Sequence, residues 1–148
     1  MVIEVKPFKL WHLDFINLQE HQKHMKELFD VAEYQELLLT GEAHTAFGET
    51  DIALIAGVYP LTNYIARAWA LIGDTPGRDL LYATRAIGDF LKQTHYDRIE
   101  TPVMRDFTKG HRWCKALGFI NETPEIGMKY YGFNGETYDL YAFYPKEN

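Results

Sequence analysis

The sequence predicts an α/β (α+β) protein, built as a mixed, mostly antiparallel sheet with helices on both faces. Three observations carry that prediction. Short segments rich in β-branched and aromatic residues alternate with amphipathic segments of helical period. The segment after Pro76 has Leu80, Leu81, Thr84, Ile87, Phe90 and Leu91 on one face, and Arg78, Asp79, Arg85, Asp89 and Lys92 on the other. Near the end, Trp113, Ala116 and Leu117 fall at helical spacing and lead into Gly118, placed where a left-handed helix cap is needed.

In chain order, residues 2–8 alternate as a first strand. Residues 17–29 read as a helix with Leu18, Met25, Leu28 and Phe29 on its apolar side, and 32–39 as a second helix stopped by Thr40-Gly41. Residues 44–47 and 52–59 form a hairpin across a polar loop, and 64–72 is a further strand. The clearest loop signal is Gly73-Asp-Thr-Pro-Gly77. Thr75 suits an N-cap there, and Pro76 the first helical position of a helix running to about Gln93. Gly88 within that helix costs about 1 kcal/mol relative to Ala, which suggests close packing.

Residues 98–104 form a strand whose Pro102 points to an edge or a splayed end. Residues 107–117 form the helix that ends at Gly118. Residues 126–131 and 138–144 flank Gly132-Phe-Asn-Gly135, a hairpin with Asn-Gly turn chemistry. The expected order is βααβββαβαββ in a single domain, 1–148, without repeats or linkers.

At 148 residues the chain is long enough to bury a sizeable core. A net charge of -6 and the lack of a Lys/Arg-rich run make nucleic acid a poor partner, since that affinity rests on neutralising phosphates. The lone Cys114 excludes an intramolecular disulfide and a multi-cysteine metal site. The most apolar run, 52–59, is far short of the roughly 20 residues that span a bilayer, and the N-terminus lacks a signal-peptide pattern. The expectation is a soluble protein of a reducing compartment such as a bacterial cytoplasm, with no membrane partner and no metal.

Several residue groups invite a chemical reading beside a structural one. His111 and Cys114 stand three apart on one helix, the spacing of a thiol and its base, but a half-buried structural cysteine has the same pattern. His21 and His24 make half of a metal site that no other residue completes. Tyr130, Tyr131, Tyr138, Tyr141 and Tyr144 crowd the last hairpin. Tyr131 is the first candidate acid among them, while strand packing or a protein interface explains the cluster as well. Glu49, Asp51 and Glu100 are alternative candidate bases for an amine.

The element order and the helix ending in Leu117-Gly118-Phe119 resemble the GNAT superfamily of N-acetyltransferases over nearly the whole chain. Residues 69–144 resemble, more narrowly, small phage proteins with a GNAT-like domain, related to the internal virion protein of short-tailed phages. That likeness rests on Arg67-Ala-Trp-Ala-Leu71, Thr84-Arg-Ala-Ile87, Arg98-Ile-Glu-Thr101, Gly110-His-Arg-Trp113 and Tyr131-Gly-Phe-Asn-Gly-Glu-Thr-Tyr-Asp-Leu-Tyr141.

The resemblance implies acetyl-CoA as cofactor. Its pyrophosphate would lie on Gly73, Thr75, Gly77 and Arg78, and the backbone of Leu71 and Ile72 would face the acyl group. It implies an amine-bearing small molecule or protein as acceptor, with Tyr131 and Glu100 as the catalytic candidates. The alternative it carries is a non-catalytic, virion-associated or interaction role with phage proteins as partners; a homo-oligomer is compatible with either. The chain departs from the family pattern at four points: Asp74 and Asp79 put carboxylates in the phosphate loop, Cys114 takes the place of the family's tyrosine, and Phe107 that of its asparagine.

Overall fold

The computed structural model describes residues 3–148, and leaves the side chains of His21 and His24 undescribed. The expected first residue of the first strand, Val2, and the paired-histidine reading of His21 and His24 therefore lie outside the described residues. The chain forms two compact units, Met1–Pro60 with Ala68–Asp89, and Leu61–Arg67 with Phe90–Asn148.

In the first unit, strand β1 (Glu4–Pro7) pairs antiparallel with β2 (Glu42–Phe47), which pairs antiparallel with β3 (Ile52–Pro60). The expected helix 17–29 is mostly absent. Residues 20–25 instead form a 3-10 helix, Glu20–Met25, followed by a single α-turn, α1 (Lys26–Phe29), and then α2 (Ala32–Leu38). The physical reason is that the start of this segment spends its backbone elsewhere. Gln19 N–H donates to Ile72 O at 3.0 Å, and Asn17 O accepts from Asp74 N–H at 2.6 Å, so neither group is free for a helical ladder. The core gathers Phe8, Leu13, Leu18, Phe29, Leu38, Ile55, Tyr59, Trp69 and Leu71. Within it the Trp69 ring packs with centroids 5.4 Å from Phe8 and 5.6 Å from Phe29.

In the second unit, β5 (Arg98–Met104) pairs antiparallel with β7 (Tyr138–Phe143) from Ile99↔Phe143 to Met104↔Tyr138. Between them lies α4 (Thr108–Ala116), closed by Gly118 at φ 98°. Phe119 N–H donates to Cys114 O at 2.9 Å, and Gly118 N–H to Lys115 O at 3.0 Å; these two bonds form the Schellman cap that the sequence pattern called for.

The expected strand 126–131 is a correction. Gly127 and Tyr130 have φ values of 71° and 59°, which break any extended run, and Met128 makes only an isolated bridge to Tyr138. Its place beside β7 is taken by β6 (Ile120–Asn121), whose residues pair with Ala142 and Tyr141. The turn at Gly132 to Gly135 does form, with Gly135 N–H donating to Gly132 O at 3.0 Å.

Strand β4 (Ile65–Ile72) and helix α3 (Gly77–Gln93) run through both units. The seven strands follow the order β1-β2-β3-β4-β5-β7-β6, a mixed and mostly antiparallel sheet. The parallel pairing of β4 with β5 covers only Ile65↔Arg98, Ala66↔Ile99 and Arg67↔Glu100. It stops two residues before Pro102, which has no N–H to give to a ladder. No helix among the described residues is long and apolar enough to cross a membrane.

Candidate active site

The loop that leaves β4 decides which of the expected cofactor residues are available. Residues along a strand turn their N–H and C=O alternately to its two edges. Gly73 N–H donates to Ala53 O of β3 at 2.9 Å, so Leu71 and Gly73 serve the β3 edge, while Ala70 and Ile72 serve the opposite one. Gly73 is required there, because a Cβ would lie 2.3 Å from Ile52 O. Its role is close approach to β3, and its N–H is not available to an anion.

The opposite edge is also occupied. Ile72 N–H donates to Gln22 Oε1 at 2.6 Å, and Gln22 Nε2 donates to Ala70 O at 3.3 Å. Gln22 is buried at 5% exposure. Leu71 and Ile72 are themselves buried at 2% and 5%. Sequence reasoning placed Gln22 within a polar-faced helix and gave it no role; a side-chain amide bonded to backbone 48 and 50 residues away leaves no local signal.

The start of α3 is different. The first helical bonds run from Asp79 and Leu80 N–H to Pro76 O, at 3.0 and 3.2 Å. The helix therefore begins one residue later than expected, with Pro76 rather than Thr75 at the cap. Gly77 and Arg78 precede the first of these donors, so their N–H groups lie in the unladdered first turn of a 17-residue helix. A Cβ on Gly77 would meet nothing within 4 Å, and the Arg78 side chain is 71% exposed. Asp79 lies beneath, its side chain 5% exposed, with Oδ1 3.7 Å from Arg78 Nε and without a hydrogen-bond partner.

In the second unit, one guanidinium joins both candidate catalytic residues. Arg67 donates from Nη2 to Glu100 Oε1 at 2.9 Å, and from Nη1 to Tyr131 OH at 3.4 Å. Arg98 Nε donates to Glu100 Oε2 at 3.0 Å, and Arg98 also grips Glu122, which accepts from the Tyr144 hydroxyl. Burial alone would raise the Glu100 carboxyl, but the hydrogen bonds and charges of Arg67 and Arg98 outweigh it and hold its pKa below the usual value. Glu100 is thus held ionised as the shared ion-pair partner of Arg67 and Arg98. Tyr131 is 46% exposed, its ring 5.4 Å from that of Tyr138.

The remaining candidates resolve as structure. Burial pushes the Cys114 thiol up to about 12, which leaves almost no thiolate at neutral pH. His111 Nε2 lies 3.1 and 3.0 Å from Met104 O and Arg105 O, so it carries the proton, and Nδ1 accepts from the Tyr141 hydroxyl at 2.7 Å. Tyr141 is fully buried. Glu49 and Asp51 are exposed hairpin residues of the first unit; Asp51 O closes the turn by accepting from Gly48 N–H at 2.8 Å. Among the described residues, no cluster of His, Cys, Asp and Glu is placed to hold a metal ion.

No family model and no curated protein matches the sequence. Solved structures do. A ribosomal-protein-S5-alanine acetyltransferase from Vibrio fischeri matches with a TM-score of 0.68 at 17% identity, over 98% of this chain and 94% of that one. A spermidine N-acetyltransferase variant from Vibrio cholerae matches with a TM-score of 0.67 at 10% identity, over 98% and 95%. A GNAT family acetyltransferase from Elizabethkingia anophelis, with acetyl-CoA bound, matches with a TM-score of 0.61 at 15% identity, over 96% and 97%.

The fold is that of the GNAT acetyltransferases. The turn from β4 into α3 is the loop on which the resemblance to that superfamily placed the pyrophosphate.

Proposed function

We propose that this GNAT-fold protein is an acetyl-CoA-dependent N-acetyltransferase acting on an amine of a small molecule or a protein. The observation that carries this reading is the match to acetyltransferase structures across essentially the entire chain. The neighbours' own acceptors, spermidine and the alanine of a ribosomal protein, are consistent with amine chemistry.

The residues fit the two halves of acetyl-CoA unequally. A pyrophosphate suits the start of α3, where Gly77 leaves open space, the Gly77 and Arg78 N–H groups belong to the helix's first turn and Arg78 offers a cation. The acyl arm does not suit the edge of β4 as it stands, since the Ile72 N–H that would face it is bonded to Gln22. Acetyl-CoA, when bound, supplies the activated thioester; the part assigned to this chain is to seat the phosphates, with Arg78 released from Asp79.

A second reading, a non-catalytic GNAT-like protein of a phage with a structural or interaction role, is favoured by that same covered edge and by the arginine-bound Glu100.

Thermal unfolding with acetyl-CoA separates the two. Ligand at 100 times Kd stabilises by about 2.7 kcal/mol, worth several degrees in a chain of this length. Asp79→Ala should tighten binding by removing a carboxylate beside the anion seat. A melting temperature unmoved by millimolar acetyl-CoA, in both the wild type and Asp79→Ala, would sink the enzyme reading.

A further inference from the structure

We infer that Gln22 is an intramolecular latch on the acyl-donor edge of β4, and that acetyl-CoA engages this edge only after the 17–22 segment lifts away. The inference rests on the acetyl-CoA reading above. Past Arg67, β4 no longer pairs with β5. From Ala70 onward its outer edge is bonded by the protein's own chain. Asp74 N–H donates to Asn17 O at 2.6 Å and Gln19 N–H to Ile72 O at 3.0 Å. The Gln22 carboxamide closes the row, accepting from Ile72 N–H and donating to Ala70 O. One side-chain amide thus supplies the acceptor and donor, two residues apart along the edge, that a neighbouring strand would supply. The pantetheine arm of coenzyme A also carries amides, and on the acetyl-CoA reading, which sets the acyl arm at Leu71 and Ile72, it would compete for the same groups.

The latch is fixed by its hydrogen bonds to β4 and flanked by Leu18 and Phe29, which belong to the core. The segment that carries it is a 3-10 helix joined to one α-turn, and both lack a side-chain N-cap. Beside it lies an open cleft of about 280 Å³ whose wall includes Leu18, Phe29 and Leu71 together with Lys23, Lys26 and Asp30. Local opening draws on elements of this kind.

The test compares acetyl-CoA with 3′-phosphoadenosine 5′-diphosphate, which carries the phosphates without the pantetheine arm, by calorimetric titration of wild type and Gln22→Ala. The expected result is at least tenfold tighter acetyl-CoA binding by the variant, with the nucleotide unchanged. Gln22→Met, which keeps the volume and cannot bridge, should do the same, and serves if the alanine variant fails to fold. Equal acetyl-CoA affinity in wild type and variants overturns the latch and leaves the acetyl-CoA reading standing. An equal gain for both ligands overturns it too, since that would mean general loosening. No acetyl-CoA binding by any of the proteins overturns both.

Discussion

Gly73 and Gly77 stand four residues apart in one loop, and a loop reading of the sequence treats them alike. The structure predicts opposite responses to alanine. At Gly73 the new Cβ would lie 2.3 Å from Ile52 O and 3.2 Å from Ala53 O, both backbone atoms of β3. Reaching ordinary van der Waals distance means moving two strands apart by roughly an ångström, against the Gly73 N–H to Ala53 O bond. Overpacking of this kind costs about 1–3 kcal/mol. The stiffer unfolded chain returns about 0.4–1 kcal/mol. Gly73→Ala should therefore destabilise by about 1.3 kcal/mol at the middle of the two ranges, and by roughly 2.6 kcal/mol at most. At Gly77 there is no atom within 4 Å of the Cβ and the φ is unremarkable, so the unfolded-state term acts alone. Gly77→Ala should stabilise by about 0.4–1 kcal/mol. Urea denaturation of the two variants beside the wild type, with the slope m checked for constancy, reads the difference directly. Midpoints that move in the same direction, or a Gly73→Ala midpoint equal to that of the wild type, would refute the packing argument.

The pH dependence of stability tests the arginine–carboxylate network. Arg98 bonding holds Glu122 below its ordinary pKa, and Glu100 is lowered as well despite its burial. Depressed carboxyls stabilise above their unfolded value of 4.5 and lose that contribution as pH falls through the lower folded value. Wild type should thus lose melting temperature more steeply in acid than Arg98→Met; parallel curves would show the network to be energetically silent. Cys114, 5% exposed and with its thiol pushed up to about 12, should resist iodoacetamide at pH 8 in the native protein and react fully in denaturant. Rapid native alkylation would place it at the surface. Tyr130 holds φ 59°, a conformation costing a non-glycine residue about 1–2 kcal/mol. Its side chain is 83% exposed, so Tyr130→Gly should raise the urea midpoint, and a lowered midpoint would mean that the ring does more than its exposure suggests.

The sequence was most legible where local chemistry and tertiary need agree. Residues 98–104 and the helix after Pro76 appear within a residue of their expected limits, because period, loop residues and burial all point the same way. Gly118 was readable because only a left-handed cap explains a glycine just after that apolar stripe. Residues 126–131 misled because Ile, Met and two Tyr carry strand propensity, while the positive φ at Gly127 and Tyr130 is imposed by the loop. Residues 17–22 misled for a deeper reason. Their helical period is real, yet Asn17 and Gln19 bond to the end of β4, and no local pattern announces a partner more than fifty residues away. In the loop after β4, the sequence did not show the division of labour: Gly73 packs on β3, whereas Gly77 and Arg78 face open space.

That division bears on what separates a transferase from a bare scaffold here. Three buried polar groups near the site are satisfied from within the chain: Ile72 N–H by Gln22, Glu100 by Arg67 and Arg98, and Tyr141 by His111. A general base works best with a pKa near the operating pH, and Glu100 is displaced the other way. Removing Arg67 or Arg98 would not simply liberate a base, since it would leave a largely buried carboxylate short of a partner. The edge of β4 is a different case. Exchanging the Gln22 amide for a ligand amide replaces one set of neutral hydrogen bonds with another, and such exchanges are worth about 0.5–1.5 kcal/mol per bond. The donor edge can therefore be recovered at a cost that ligand binding covers, while the arginine-bound carboxylate cannot.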